Sequence, residues 1–322
     1  MSEVSQTPKY SGTVKAYKSF HPDRDAQVFV DNLRHIGGDE TAIISVVSSR
    51  TLDQRLEIAR RYEEQQEKPL LADLKLYTRL DFQRVLLACF TPAIQYDSWS
   101  LNEALEEFGT DEKSLVEILI SRSNSQIKEI REYYQKMYDH EVDALIKRKT
   151  SGEFCDMLLM LATPSRDESN TVSTQLARRD AKVLFKNIPK SCATRNYSFN
   201  EVFCKRNFQH LRATFEEYRR LSGRDILQDI RTEFHGHMKD GLKAITEYAR
   251  SPPEYFAHRL YRSMKGLGTE DSTLTRIIVT RSEIDMTQIK EKFNEKYGET
   301  LEQFIMGDTS FAYRTILLSL IF

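Results

Sequence analysis

Along most of the chain, apolar residues return every three or four positions while Lys, Arg, Glu and Gln fill the intervals. That spacing gives a helix one buried face and one wet face. Ile43, Val46 and Val47 fall on one such face, and Leu115, Ile118 and Leu119 on another. Short breaks separate the faces. IGGD at 36–39, FGTD at 108–111 and GLGTED at 266–271 each bring glycine and then Thr or Asp, which suits the end of one helix and the cap of the next. The pattern predicts an all-α chain built from bundles of several short helices.

The bundles recur. Arg50, Arg122, Arg206 and Arg281 each precede a helical stretch, and twelve residues beyond each lies an aromatic: Tyr62, Tyr134, Tyr218 and Phe293. Successive arginines are 72, 84 and 75 residues apart, and a second landmark shifts by the same intervals. It reads FQRVLLACF at Phe82, FCDMLLMLA at Phe154, MKDGLKAI at Met238 and YRTILLSLI at Tyr313. Two landmarks in register across unequal spacings mark an internal repeat. The repeats span residues 25–92, 97–164, 180–252 and 256–322. Residues 1–24 carry no helical stripe and read as an extended N-terminal arm. The stretch from Pro164 to Arg179, with 165–179 as its linker, is the longest connector and reads as a divide between two halves. The in-phase arginines suit interior ion pairs or helix-end contacts better than phosphate binding.

Composition agrees and removes several function classes. The 322 residues are 40% hydrophobic and 30% charged, with only 12 Gly and 8 Pro, which favours helices. A formal net charge of -1 provides no field for nucleic acid, so no nucleic-acid partner is expected. The first residues resemble no signal peptide, and runs such as Ile316 to Phe322 are too short to span a bilayer, so a cytoplasmic protein is the default expectation. Cys89, Cys155, Cys192 and Cys204 form no CxxC pair and read as free thiols. No P-loop, GxSxG, HExxH or dinucleotide fingerprint is present, and no enzyme is expected.

The landmarks, together with MKGLGT at Met264 to Thr269 and GDTS at Gly307 to Ser310, resemble the annexin family from Asp25 to Phe322. The arm segment SGTVKAYKSFHPDRDA looks like the lead-in of one vertebrate member, without that member's amphipathic partner-binding helix. The resemblance implies four repeats of about five short helices, a curved disc, and a convex face that meets membranes through Ca2+. It also implies the ligands: the backbone carbonyls of Met264, Gly266 and Gly268, with the side chain of Asp308 closing the site from another loop. The chemistry suits that assignment, because calcium takes six to eight oxygens and glycine tolerates the positive φ that turns carbonyls inward. One carboxylate leaves a surplus positive charge into which a lipid phosphate can enter. Leu267 at the loop tip is the residue expected to touch lipid. Where relatives read GDTSG this chain has Phe311, which predicts a stiffer or displaced second loop.

The same register tests the other repeats, and their sites read as degenerate. Repeat one places His35 at the first glycine and Tyr77 at the acid; repeat two places Glu107 and Lys149 there, with Lys149 free to pair with Glu106 or Glu107. Repeat three keeps Glu233 as a candidate weak calcium ligand but has Ser191 and Ala193 in place of both glycines. Thr110 with Glu112 reads as a helix cap, Glu233, His235 and His237 as no zinc site, and Trp99 as core. The expected function is calcium-dependent binding to anionic phospholipid membranes through repeat four. The protein would be peripheral on membranes when calcium rises, with a protein partner for the arm or concave face. The competing expectation is an annexin-like interaction scaffold with little or no membrane binding.

Overall fold

The computed structural model describes residues 10–33, 39–106, 109–188, 197–266 and 268–322. It contains twenty helices and no strand among these residues, and the helices fall into four groups of five. The first repeat holds α1 (Pro22–Leu33), α2 (Glu40–Ser48), α3 (Leu52–Gln66), α4 (Leu70–Tyr77) and α5 (Leu80–Cys89). The second holds α6 (Ala93–Glu106), α7 (Glu112–Ser121), α8 (Asn124–Tyr138), α9 (Val142–Lys149) and α10 (Gly152–Ala162). The third holds α11 (Thr174–Asn187), α12 (Tyr197–Lys205), α13 (Phe208–Ser222), α14 (Ile226–Glu233) and α15 (Gly236–Arg250). The fourth holds α16 (Pro252–Met264), α17 (Asp271–Arg281), α18 (Met286–Tyr297), α19 (Leu301–Asp308) and α20 (Phe311–Ile321).

Polar residues between the helices set their starts. Asp39 and Asp111 cap α2 and α7 by accepting the amides of Thr41 and Ser114 at 2.9 and 3.1 Å. One residue beyond the landmark arginine, Thr51 with Gln54 and Ser123 with Gln126 form capping boxes that open α3 and α8. Such caps satisfy amides that would otherwise be orphaned at a helix N-terminus.

Two compact units result. One comprises residues 1–93 and 256–322, repeats one and four, and the other residues 94–255, repeats two and three. Their interiors follow the same scheme. In the first, α2 packs on α20 and α17 on α5; in the second, α7 packs on α15 and α12 on α10. Sequences such as FAYRTILLSLI in α20 and GEFCDMLLMLA in α10 are apolar nearly all round, so they lie between repeats. The connector near residue 170 separates repeats two and three but does not divide the chain into halves: it lies inside the second unit. Arg166 donates to the carbonyls of Phe203 and Arg206, and Glu168 accepts from the Asn124 amide at 2.7 Å, which stitches the connector to α8 and α12.

The landmark arginines do form interior ion pairs. Arg50 grips Asp25 with two bonds of 2.6 and 2.9 Å, Arg122 grips Asp97 at 2.5 and 2.7 Å, and Arg206 grips Asp180 at 2.6 and 3.2 Å. Each fork ties the first helix of a repeat to the junction between its second and third. Repeat four is built differently. Phe256 stands where the aspartate would, its ring lies 4.6 Å from the Arg281 guanidinium, and Arg281 turns instead to the fully buried Asp285 at 2.7 Å. The aromatic landmarks Tyr62, Tyr134, Tyr218 and Phe293 are all buried; Tyr62 donates to Asp73 and Tyr218 to Asp229, both at 2.6 Å.

The described part of the arm is strapped across repeats one and four. Val14 donates to the Ser282 carbonyl, Thr287 to the Ser11 carbonyl, and Tyr17 exchanges bonds with Gln54 while its ring lies under Arg50. Gly12 makes the approach possible only because it has no side chain, since a Cβ there would stand 2.4 Å from the Glu283 carbonyl carbon. Gly12→Ala should lift residues 10–17 from the repeats, at a cost of about 1–3 kcal/mol. Hydrogen exchange checks this: the Val14 and Thr287 amides should lose protection together, while those inside α5 and α20 keep theirs.

Candidate metal centre

The fourth repeat brings its two sequence-distant loops together. α16 stops at Met264, and the Glu270 amide reaches back to the Ser263 carbonyl at 2.8 Å, which closes the intervening loop. Gly266 and Gly268 take φ of 141 and 83°, values that an L side chain resists, and this is where glycine matters for the turn. Asp308 is the last residue of α19. The Thr269 hydroxyl donates to its carboxylate at 2.5 Å and also lies 3.3 Å from its carbonyl. Asp308 is thus held against the glycine turn, and one donated bond does not exhaust a carboxylate's acceptor positions. From the other side, Tyr313 of α20 lies 3.4 Å from the Asp271 carbonyl and 3.2 Å from the Thr275 hydroxyl, pinning the start of α17.

The surroundings are acidic. Burial pushes the Asp271 carboxyl above its ordinary value, and the negative charges of Asp81 and Asp308 add to the effect. Burial likewise pushes the Tyr313 hydroxyl far up. Among the described residues no three His, Cys, Asp or Glu side chains converge where they would hold a metal. A cation at this loop would therefore draw mainly on peptide oxygens plus Asp308, the hard-donor set that suits calcium and not zinc. The residues present fit that ion.

The second repeat carries other residues at the same register positions. The Asp111 amide closes on the Ala104 carbonyl at 2.8 Å, as Glu270 does on Ser263, and Gly109 keeps a φ of 96°. Lys149 stands at the acid position with its ammonium 3.5 Å from Glu106, and Arg148 reaches the same carboxylate at 2.6 Å. Lys149 thus puts an ammonium at the register position of Asp308. In repeat one, Tyr77 ends α4 and is exposed; in repeat three, Glu233 ends α14 and is exposed. His35, Glu107, Ser191, Ala193 and the loop-tip Leu267 lie outside the described residues.

Asp111, between Thr110 and Glu112, is the residue that caps α7. His235 occupies the N-cap position of α15 with no side-chain capping bond, and His237 in the first turn lies 3.5 Å from Glu112. Trp99 departs from the expectation of a core residue. It is 37% exposed and leans on Tyr96, because α6 buries the face carrying Tyr96, Leu101 and Leu105 and leaves Trp99 at its margin.

Phe311 keeps the backbone conformation of its register position. Its φ is 49°, in the left-handed region, and the in-phase residues Leu80, Gly152 and Gly236 have φ of 52, 62 and 56°. Each repeat needs this conformation at the start of its fifth helix, and two repeats meet it without glycine. Sequence reasoning noticed the substitution at 311 but not at 80; aligning the column 80, 152, 236 and 311 would have exposed both.

The annexin family model matches residues 24–89, 96–161, 179–245 and 255–320. Human annexin A7 is 40% identical over 310 residues, which cover 96% of this chain and 64% of annexin A7, so the chain spans just under two-thirds of that relative. Annexin A4 of Rattus norvegicus is 43% identical over 309 residues, 96% of this chain and 97% of its own length. Among solved structures, annexin III aligns with a TM-score of 0.92 at 37% identity, covering 97% of both chains. Calcium-bound annexin (Sm)1 aligns at 0.86 with 29% identity, covering 97% of this chain and 93% of its own. The chain belongs to the annexin family.

Proposed function

We propose that the chain is a calcium-dependent binder of anionic phospholipid membranes that works through its fourth repeat. The Met264, Gly266 and Gly268 carbonyls and the Asp308 carboxylate would hold the ion, and repeats one to three are degenerate. The observation that carries this is the Thr269 bond to Asp308, which keeps the only in-phase acid with an intact glycine turn at that turn. Bound calcium supplies a hard cation whose remaining coordination positions accept a phosphate oxygen. The protein's part is positional: the glycines aim the peptide oxygens, Thr269 orients the carboxylate, and Tyr313 pins the start of α17. Calcium and lipid each raise the other's affinity by the same factor. Among the described residues no helix is long and apolar enough to cross a membrane, and attachment is peripheral in this scheme, from the cytoplasm when calcium rises.

Sedimentation with phosphatidylserine vesicles over a calcium series tests it. The unaltered protein should pellet only with calcium and Asp308→Ala should not. With one engaged contact the chain forgoes the avidity of several, so half-maximal pelleting should need roughly tenfold or more calcium above that of a four-site relative. Pelleting by neither protein would favour an interaction scaffold.

A further inference from the structure

Leu80 and Phe311 are unusual twice over. They are 86 and 89% exposed, the highest values for any large hydrophobic residue described. Both also adopt a left-handed backbone that costs about 1 kcal/mol or more for a residue with a Cβ, at positions where repeats two and three use glycine. The fold imposes this conformation on every repeat, so what calls for a use is the exposed apolar side chain kept where glycine would carry less strain. Neither packs on the fold, so the use lies outside it.

Both positions lie at one end of one unit. Leu80 opens α5 and Phe311 opens α20, and these two helices pack on each other and on α17. Asp81, next to Leu80, acts electrostatically on Asp271 and Tyr313, the same two groups that join α20 to the start of α17. The metal centre with Asp308 occupies that end too. Further exposed apolar groups gather there: Leu76 and Tyr77 before Leu80, and Met306 before Phe311. At the matching junctions of the other unit stand Lys147, Arg148 and Lys149, and Arg231, Thr232 and Glu233, none of them apolar.

We propose that Leu80 and Phe311 are paired lipid anchors: when the fourth-repeat site engages a membrane, both side chains enter the boundary between headgroups and acyl chains. The inference rests on the membrane function above and names a second, apolar part of the same contact. A bilayer is the occupant because the two residues sit on separate short junctions beside the site that would take a lipid phosphate, and a fluid surface receives separated prongs without a matching pocket. The exposed Lys75 ammonium adds attraction for anionic headgroups. The anchors make up for part of the avidity lost with the other calcium sites.

The test uses the full chain with phosphatidylserine vesicles at saturating calcium. Burying one Leu or Phe side chain is equivalent to roughly tenfold or more in partitioning, so Leu80→Gly with Phe311→Gly should weaken vesicle binding by about 100-fold. The same double variant should melt no lower than the parent, since glycine relieves the backbone at both positions. In a Trp99→Phe background, Phe311→Trp should show blue-shifted emission on binding and quenching by lipids brominated near the glycerol end of their chains. Unchanged vesicle affinity of the double variant, or a tryptophan at 311 that keeps aqueous emission on pelleted protein, overturns the inference alone. A parent protein that does not pellet with calcium overturns the membrane function and this inference together.

Discussion

Asp97→Ala should cost about 3–5 kcal/mol of stability, because it removes the carboxylate that pairs with the buried Arg122 guanidinium. The side chains are only 10 and 3% exposed, and two bonds of 2.5 and 2.7 Å join them. Burial by itself would loosen the guanidinium's hold on its proton; Asp97 outweighs that and raises it. Removing the carboxylate takes away the largest part of what offsets the desolvation. The effect is expected of a buried pair and not of any pair: Glu295, which meets Lys292 with both side chains largely exposed, should tolerate Ala with almost no change. Urea unfolding followed by circular dichroism compares the two. Equal midpoint shifts for Asp97→Ala and Glu295→Ala would refute the structural role of the arginine landmarks.

The arginine pairs show where the chain's architecture was legible. Recurrence of Arg50, Arg122, Arg206 and Arg281 in phase with apolar faces pointed to interior pairs or helix-end contacts, and short-range periodicity with Asp or Thr caps located the helices. These signals are local: a face, a cap and a glycine break each lie within a few residues. The way repeats combine is not local. α2 lies against α20 and α17 against α5, far apart in the chain, and nothing in the period distinguishes that partner from a neighbouring repeat. The connector near residue 170 looked like a divide because its polar composition hid the role of Arg166 as a donor to Phe203 and Arg206. Repeat four's substitution of Phe256 for an aspartate was in plain view, yet the rescue of Arg281 by Asp285 depends on a changed turn after α17. At the candidate site the glycines of the turn and the in-phase Asp308 were legible as residues, whereas the Thr269 bond to Asp308 and the crowding of Asp81, Asp271 and Asp308 required the packing of α5, α17 and α20.

That crowding makes the metal itself a measurable stabiliser. If calcium binds the fourth-repeat loop with a Kd of ~10⁻⁴ M, about 10 mM calcium should add about 2.7 kcal/mol to the unfolding free energy of the first unit, seen as a rise in its melting temperature. The sign follows from two sources: binding to the folded form alone, and relief of the repulsion that, after burial, keeps the Asp271 carboxyl above its ordinary value. Magnesium should do less, since it demands octahedral geometry and gives up water reluctantly. Asp308→Asn separates the contributions. The amide oxygen can still accept from Thr269, and one negative charge is gone, so the variant without calcium should melt at the parent's temperature or slightly above it. With calcium it should lose nearly the whole increment. Glu233→Gln, which alters the acid of repeat three, should keep it. An Asp308→Asn variant that retains the full calcium shift would mean that the ion is held elsewhere, and the carbonyl turn at 264–268 would then serve only to join two helices.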